Sequence, residues 1–127
     1  MNRAVIGVGS NIDPYSNIDK AARLLGQTVK VLQKSALVQT KPIGIIDQPD
    51  FVNGAFLIET EYQQGVLKDF LFRVEEKLGR TRAVDKFGPR TIDLDIIVWN
   101  GTIVDKDFYA RDFLRQAVLT LWPDLKI

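Results

Sequence analysis

Two residue types that carry much of enzyme chemistry are missing from this sequence. Its 127 residues include no cysteine and no histidine. Without cysteine there is no disulfide framework, no thiolate zinc site and no thiol nucleophile. Without histidine the commonest general base and the commonest metal ligand are gone. Any catalysis must rest on carboxylates, Arg or Lys, metal ions and positioning. An excess of charge of one sign is lacking as well: 17 Lys and Arg against 16 Asp and Glu leave a net charge of +1. Neither nucleic acid nor a membrane surface is therefore an expected partner. No apolar run approaches the ~20 residues of a membrane span. Met1-Asn2-Arg3 leads straight into an apolar strand rather than a signal peptide, so the expected address is cytoplasmic. Repeats, low-complexity segments and linkers are absent too. What remains, 46% hydrophobic and 26% charged, is the composition of one soluble domain over residues 1–127, long enough to bury a core.

The stretch that organises the chain is Phe87-Gly88-Pro89-Arg90-Thr91-Ile92-Asp93-Leu94-Asp95-Ile96-Ile97-Val98-Trp99. A rigid Gly-Pro turn carrying an arginine feeds a strand that opens with two aspartates. Side chains two apart on a strand share a face, so the carboxylates of Asp93 and Asp95 point the same way from Cα atoms roughly 6.6 Å apart. Aspartate is depleted in strands, and such a conflict with local propensity tends to mark a functional site. The alternative is an edge strand with two solvated acids. Magnesium usually takes one or two carboxylates plus substrate phosphates, whereas a calcium loop of EF-hand type needs more ligands at fixed offsets and a glycine. Just upstream, Arg80, Arg82, Lys86 and Arg90 place four cations within eleven residues. A basic run is often plain solvated surface. Three arginines among the four favour bidentate phosphate contacts, and the adjoining acids would hold metal on the same phosphates.

Along the chain, Arg3 to Gly9 predicts a strand buried on both faces, thinned at Gly7 and Gly9 so that backbone or ligand can approach. Gly9-Ser10-Asn11 lacks the Gly-Lys-Ser/Thr ending of a P-loop. A helix capped at Ser16 carries Ile18, Ala21, Ala22 and Leu25 on one face, with Gly26 as its stop. Val29 to Thr40 predicts a strand bulged near Gln33-Lys34. The connection 41–50 holds two prolines and three isoleucines, either a functional loop or a satellite of the core. Phe51 to Thr60 is the next strand. Its Asn53 could read the edge of a heterocycle or satisfy a backbone turn. Gln63 to Leu78 is the clearest helix, with Leu67, Leu71, Val74 and Leu78 in register and Gly79 closing it. After Trp99, Asn100-Gly101 is a hairpin turn before Thr102-Ile103-Val104, and a last helix opens near Asp112 and stops at Pro123. The order β-α-β-β-α-β predicts an α+β fold: a ferredoxin-like sandwich, its antiparallel sheet covered by helices on one face.

These residues resemble a known family. Phe87 to Ile97 is similar to the signature of 6-hydroxymethyl-7,8-dihydropterin pyrophosphokinase. Gly9-Ser10-Asn11, Thr40-Lys41-Pro42-Ile43-Gly44 and Asp47-Gln48-Pro49-Asp50-Phe51-Val52-Asn53 match as well, and the likeness covers residues 4 to about 104. The resemblance implies a ferredoxin-like α+β fold and transfer of diphosphate from ATP to the pterin hydroxymethyl group, with release of AMP, in folate biosynthesis. It implies that Asp93 and Asp95 bind two Mg2+ ions bridging the ATP phosphates, with Asp95 also near the attacking hydroxyl. Arg80 and Arg90 would stabilise the transferred group, and Arg82 would belong to the same loop. Phe87 stands where the family often has tryptophan. Glu75, Ile96 and Arg111 would complete the nucleotide side. Thr40, Pro42, Ile43 and Gly44 would touch the pterin largely through backbone, Asn53 would read its amide edge, and Phe51 with Phe113 would sandwich its ring.

One departure from the family pattern falls after Val104. The family normally has a longer segment there with a histidine contacting ATP, followed by Arg-x-Phe. Here Asp105 to Ala110 is short and has no histidine, and Arg111-Asp112-Phe113 resembles the Arg-x-Phe. A pterin-binding homologue with weakened chemistry is the alternative expectation. An RNA-recognition module of similar topology would want an aromatic RNP-like strand and a net basic charge.

Overall fold

A computed structural model describes residues 1–44, 46–80 and 89–127 of the chain. Arg82 and Phe87 lie outside the described residues. The elements run β1 (Asn2–Ser10), α1 (Pro14–Gly26), β2 (Lys30–Lys34), β3 (Val38–Thr40), β4 (Phe51–Thr60), α2 (Gln64–Lys77), β5 (Asp93–Trp99), β6 (Thr102–Ile103), α3 (Asp107–Ala110) and α4 (Asp112–Leu121). The strands form an open antiparallel sheet in the order β2-β4-β1-β5-β6, with β3 also on β4.

Why β1 lies inside the sheet is explained by its sequence. An apolar residue at nearly every position suits a strand covered on both sides. Ala4, Ile6 and Val8 join Phe56 and Ile58 of β4 against Ile18, Ala21 and Leu25 of α1 and Leu67, Leu71 and Val74 of α2. Val5, with Ala55 and Leu57 of β4, faces the other way and packs with Leu114, Val118 and Leu121 of α4 and Phe108 of α3. Helices therefore cover both faces, which corrects the expectation of helices on one face. The reason is physical: both central strands present apolar side chains on their second face, and the amphipathic α4 buries them.

Local chemistry sets the element ends. Helix α1 begins two residues before Ser16, at Pro14, whose fixed φ suits the first helical position, after Asp13 in a left-handed conformation at φ 41°. The second strand is interrupted into β2 and β3, with a register shift between Val31 and Gln33. Gly79, at φ +85°, ends α2. The turn there brings the Arg80 N–H onto the Glu75 carbonyl at 3.0 Å, a helix-terminating pattern that folds the chain back on its last turn. Asn100 and Gly101, at φ 49° and 86°, make the left-handed pair of a two-residue hairpin.

Strand β5 carries a bulge that decides which way its aspartates face. Val98 pairs with Val5 and Ile96 with Ile6, so Ile97 is the extra residue. Past the bulge Asp95 lies opposite Gly7 and Asp93 opposite Gly9. A Cβ on Gly7 would meet Ile97 and Leu114 side chains at 3.2 and 3.3 Å, which identifies the α4 side. Paired residues in antiparallel strands share a face, so both carboxylates sit on that side. Leu94, Ile96 and Trp99 pack toward the α1 and α2 core.

Candidate active site

A cleft of about 1100 Å³ opens over the thinned part of β1. Its floor is Gly7, Gly9, Asn53, Asp93 and Asp95, and Phe51, Thr40 and Ile43 stand on the β3–β4 side. Arg111, Phe113 and Leu114 close it from the start of α4. Strand β6 pairs only with Val98 and Trp99 and the Val104 N–H just beyond it donates to the Ile97 carbonyl at 2.8 Å, so among the described residues the Asp93–Ile96 edge of β5 has no strand beside it. The cleft continues past that edge to Ile96 and to Lys68, Phe72 and Glu75 of α2.

The fold gathers nearly every residue expected from the sequence. Asp93, Asp95, Arg80, Arg90, Glu75, Ile96, Arg111, Thr40, Ile43, Phe51, Asn53 and Phe113 all line the one cleft. Pro42 and Gly44 belong to the same connection but are not part of its wall. Lys68, Phe72, Lys106 and Asp107 line it without having been expected. A sequence signal existed for Phe72, an aromatic outside the Leu67–Leu71–Val74 stripe and 39% exposed. None existed for the others, which are ordinary charged positions.

The acids and arginines do not sit apart, waiting for metal and phosphate. Arg80 Nη1 donates to Glu75 Oε2 at 2.5 Å and to Asp93 Oδ1 at 3.0 Å, and Arg90 Nη1 donates to Asp93 Oδ2 at 2.9 Å. Both oxygens of Asp93 are thus held by guanidinium groups. Glu75, with 4% of its side chain exposed, also accepts the Leu94 N–H through Oε2 at 2.8 Å. That hydrogen bond fixes the α2 end against the strand between the two aspartates. Glu75 is thus part of the frame that aims Arg80, as well as a wall residue.

Asp95 is different. Among the described residues it makes no ion pair and no side-chain hydrogen bond. It is open to the cleft, yet the surrounding walls remove enough water to push its pKa up to about 7. Desolvation is the main cause, followed by the negative charges of Asp93, Asp105 and Glu75, with Arg80 opposing. An acid raised by burial and by like charges is the electrostatic state expected where a cation belongs.

On the opposite flank Asn53 Nδ2 donates to Thr40 Oγ1 at 2.5 Å. A Cβ on Gly9 would lie 2.7 Å from Asn53 Oδ1. The missing side chain at Gly9 is therefore what lets the Asn53 amide lie over the floor. Arg111 is only loosely tied, with Nε 3.7 Å from Asp107 Oδ2. Phe51 from β4 and Phe113 from the first turn of α4 line the same space.

Fold and cleft define an α+β protein whose crevice combines paired acids, arginines, an orienting amide and two aromatic rings. The chain belongs to the 7,8-dihydro-6-hydroxymethylpterin-pyrophosphokinase (HPPK) family, whose pattern matches residues 5–123. It is 32% identical over 136 residues to the 2-amino-4-hydroxy-6-hydroxymethyldihydropteridine pyrophosphokinase of Haemophilus influenzae, spanning 98% of this chain and 84% of that one. The enzyme of the same name from Methylorubrum extorquens is 35% identical over 133 residues, with 97% and 80% covered. That from Bacillus subtilis is 41% identical over 109 residues, with 84% and 65% covered. The expectation of an inactive pterin-binding homologue is not favoured beside relatives that carry the pyrophosphokinase name.

Proposed function

We propose that this chain transfers diphosphate from ATP to the hydroxymethyl group of 6-hydroxymethyl-7,8-dihydropterin, releasing AMP, as a step of folate biosynthesis. The observation that carries the reading is the pair Asp93 and Asp95 on one face of β5, with Arg80 and Arg90 already in contact with Asp93. In the reaction the pterin hydroxyl oxygen forms a bond to the β-phosphorus of ATP. The bond from that phosphorus to the oxygen bridging the α-phosphate breaks, AMP leaves with that oxygen, and the hydroxyl gives up its proton. Chemistry of this kind is mostly positioning and electrostatic stabilisation, so the lack of histidine and cysteine is no obstacle.

The roles divide along the cleft. Thr40 and Asn53 orient the pterin edge, Phe51 and Phe113 take its ring, and Ile43 with the backbone of the Pro42–Gly44 turn closes over it. Arg80, Arg90 and Arg111 take the phosphates, and Ile96 with the α2 wall takes the nucleoside. Arg82 and Phe87, outside the described residues, complete this side in our reading. When ATP enters, Arg80 and Arg90 exchange the Asp93 carboxylate for phosphate oxygens.

The donor set fits magnesium. Among the described residues no cluster of three or more His, Cys, Asp or Glu forms a protein cage for a metal, while two hard carboxylates with substrate phosphates are the usual magnesium arrangement. Asp93 and Asp95 would hold two ions, which when bound neutralise phosphate charge and polarise the transferred group. Asp95, which among the described residues has no arginine on it, is the acid we assign to the pterin hydroxyl.

The strand order, read with β2 and β3 as one interrupted strand, supports the ferredoxin-like split βαβ arrangement over a single domain, residues 1–127. Among the described residues no helix is long and apolar enough to cross a membrane. A cytoplasmic enzyme of small substrates is consistent with that.

The test is AMP formation. With ATP, magnesium and the pterin the protein releases AMP, and Asp95→Ala lowers the rate by about a hundred- to a thousandfold, the loss expected when a charge-stabilising group is removed. ADP as product, or an unaffected rate, contradicts the reading.

A further inference from the structure

Most cations around the cleft already face an acid. Arg80 and Arg90 hold Asp93, Arg111 lies 3.7 Å from Asp107, and Lys41 lies 3.9 Å from Asp50. Lys68 and Lys106 line the same cleft, and among the described residues neither ammonium has an ion pair or a hydrogen bond. An unpaired lysine is ordinarily plain solvated surface. The path of the chain gives Lys106 a more particular place.

Strand β6 runs antiparallel to β5, with Thr102 opposite Trp99 and Ile103 opposite Val98. The Val104 N–H then reaches the Ile97 carbonyl at 2.8 Å. Each further residue passes one step back along β5, so Asp105 and Lys106 are carried toward the open edge at Ile96 and Asp95. Asp105 is one of the charges acting on Asp95, which agrees with that placement. The acids on either side of Lys106 have other partners: Asp105 Oδ1 accepts the Asp107 N–H at 2.9 Å, and Asp107 Oδ2 faces Arg111. The ammonium is left to the cleft.

With the diphosphate at Arg80 and Arg90 and the nucleoside at Ile96, the α-phosphate of ATP belongs between them, on the stretch that Lys106 borders. Its charge changes during the reaction. As the bond to the β-phosphorus breaks, the α-phosphate takes the bridging oxygen with its electron pair and leaves as a monoester of nearly twofold negative charge at neutral pH. A cation beside it is therefore worth more in the transition state than in bound ATP, which is the condition for speeding the step. Lys68 is placed otherwise, about 10 Å along α2 from Glu75, on the nucleoside wall.

We infer that Lys106 binds the α-phosphate and stabilises the charge that AMP acquires on leaving, a catalytic contact with the leaving group rather than with the diphosphate. The inference rests on the function proposed above.

The experiment uses the full chain with Lys106→Met, which keeps the length of the side chain without its charge, and Lys106→Arg, which restores a cation. Lys106 is exposed, so both variants should melt nearly as the unaltered protein does. AMP formation is followed in a single turnover, with protein in excess over the pterin and with saturating ATP and magnesium, so that product release does not mask the chemical step. Lys106→Met should slow it at least about tenfold, less than the loss of a donor in a water-excluded site because Lys106 is exposed. Lys106→Arg should recover most of that rate. Equilibrium titration of Lys106→Met should show AMP weakened about tenfold, the worth of one hydrogen bond to a charged group, and adenosine nearly unchanged. An unaffected single turnover, an equal loss in both variants, or parallel weakening of AMP and adenosine overturns the inference. If the unaltered protein forms AMP in any of these cases, the proposed function survives. If it forms none, both fall.

Discussion

Asp93 and Asp95 are two residues apart on one strand and differ in every neighbour that matters. Asp93 has an arginine on each oxygen, while Asp95 is raised to about 7 by desolvation and by the acids around it. A carboxylic acid with a raised folded pKa holds its proton longer in the folded chain than in the unfolded one, so folding stability falls as pH rises between the two values. For metal-free protein the contribution of Asp95 is lost between about pH 4, the ordinary range of aspartate, and about pH 7, and levels off above. Thermal melts across that window should show a shallower decline in Asp95→Asn than in the unaltered chain. An identical slope removes this account. Gly9 makes a second residue-scale prediction. A methyl group there meets Asn53 Oδ1, the mobile end of a side chain, so Gly9→Ala should leave the melting temperature nearly unchanged while raising the pterin KM about tenfold, the cost of one misplaced hydrogen-bonding group. An unchanged KM would show that Asn53 does not orient the pterin. Glu75→Gln keeps an oxygen for the Leu94 N–H and removes the charge facing Arg80. Because breaking a buried pair leaves an uncompensated charge, urea unfolding should give a loss of about 1–3 kcal/mol, below the usual range since Asp93 still faces Arg80.

At the scale of elements, what could be read from the sequence is what depends on neighbours in the chain. The stripe of Leu67, Leu71 and Val74, the Asn100-Gly101 turn, and the alternation that puts Asp93 and Asp95 together are set within a few residues, and the structure has them as expected. Partners far apart in sequence were not legible. Nothing local to Glu75 says that it will meet the Leu94 N–H 19 positions on, and nothing in Leu114, Val118 and Leu121 says which side of the sheet they cover. Helix α3 escaped for another reason: four residues are too few to display a period. Its Phe108 is fully buried and stands edge to face with Tyr109, centroids 5.1 Å apart. Phe108→Ala should cost about 3–5 kcal/mol in urea unfolding, the usual penalty for removing a buried aromatic side chain. A loss under about 1 kcal/mol, small for a core substitution, would mean that α3 is not anchored through that ring.

The whole molecule is a sheet with a hydrophobic layer on each side, and the crevice belongs to the layer that α4 only partly covers. Which layer a strand residue enters is a matter of parity. Counting back from Val98, which packs under α4, an unbroken strand would send Leu94 and Ile96 into the crevice and both aspartates into the oil between β5 and α2. The supernumerary Ile97 reverses that count. Because Ile97 has no partner of its own on β1, deleting it should straighten the strand and leave Val98 opposite Val5, Ile96 opposite Ile6 and both aspartates over the crevice. The shortened chain should lose chiefly the packing of the Ile97 side chain under α4, about 2–5 kcal/mol in urea unfolding, the usual range for removing a buried isoleucine side chain. It should still release AMP, and a shortened chain that unfolds cooperatively but releases none would show that the irregular spacing itself shapes the crevice.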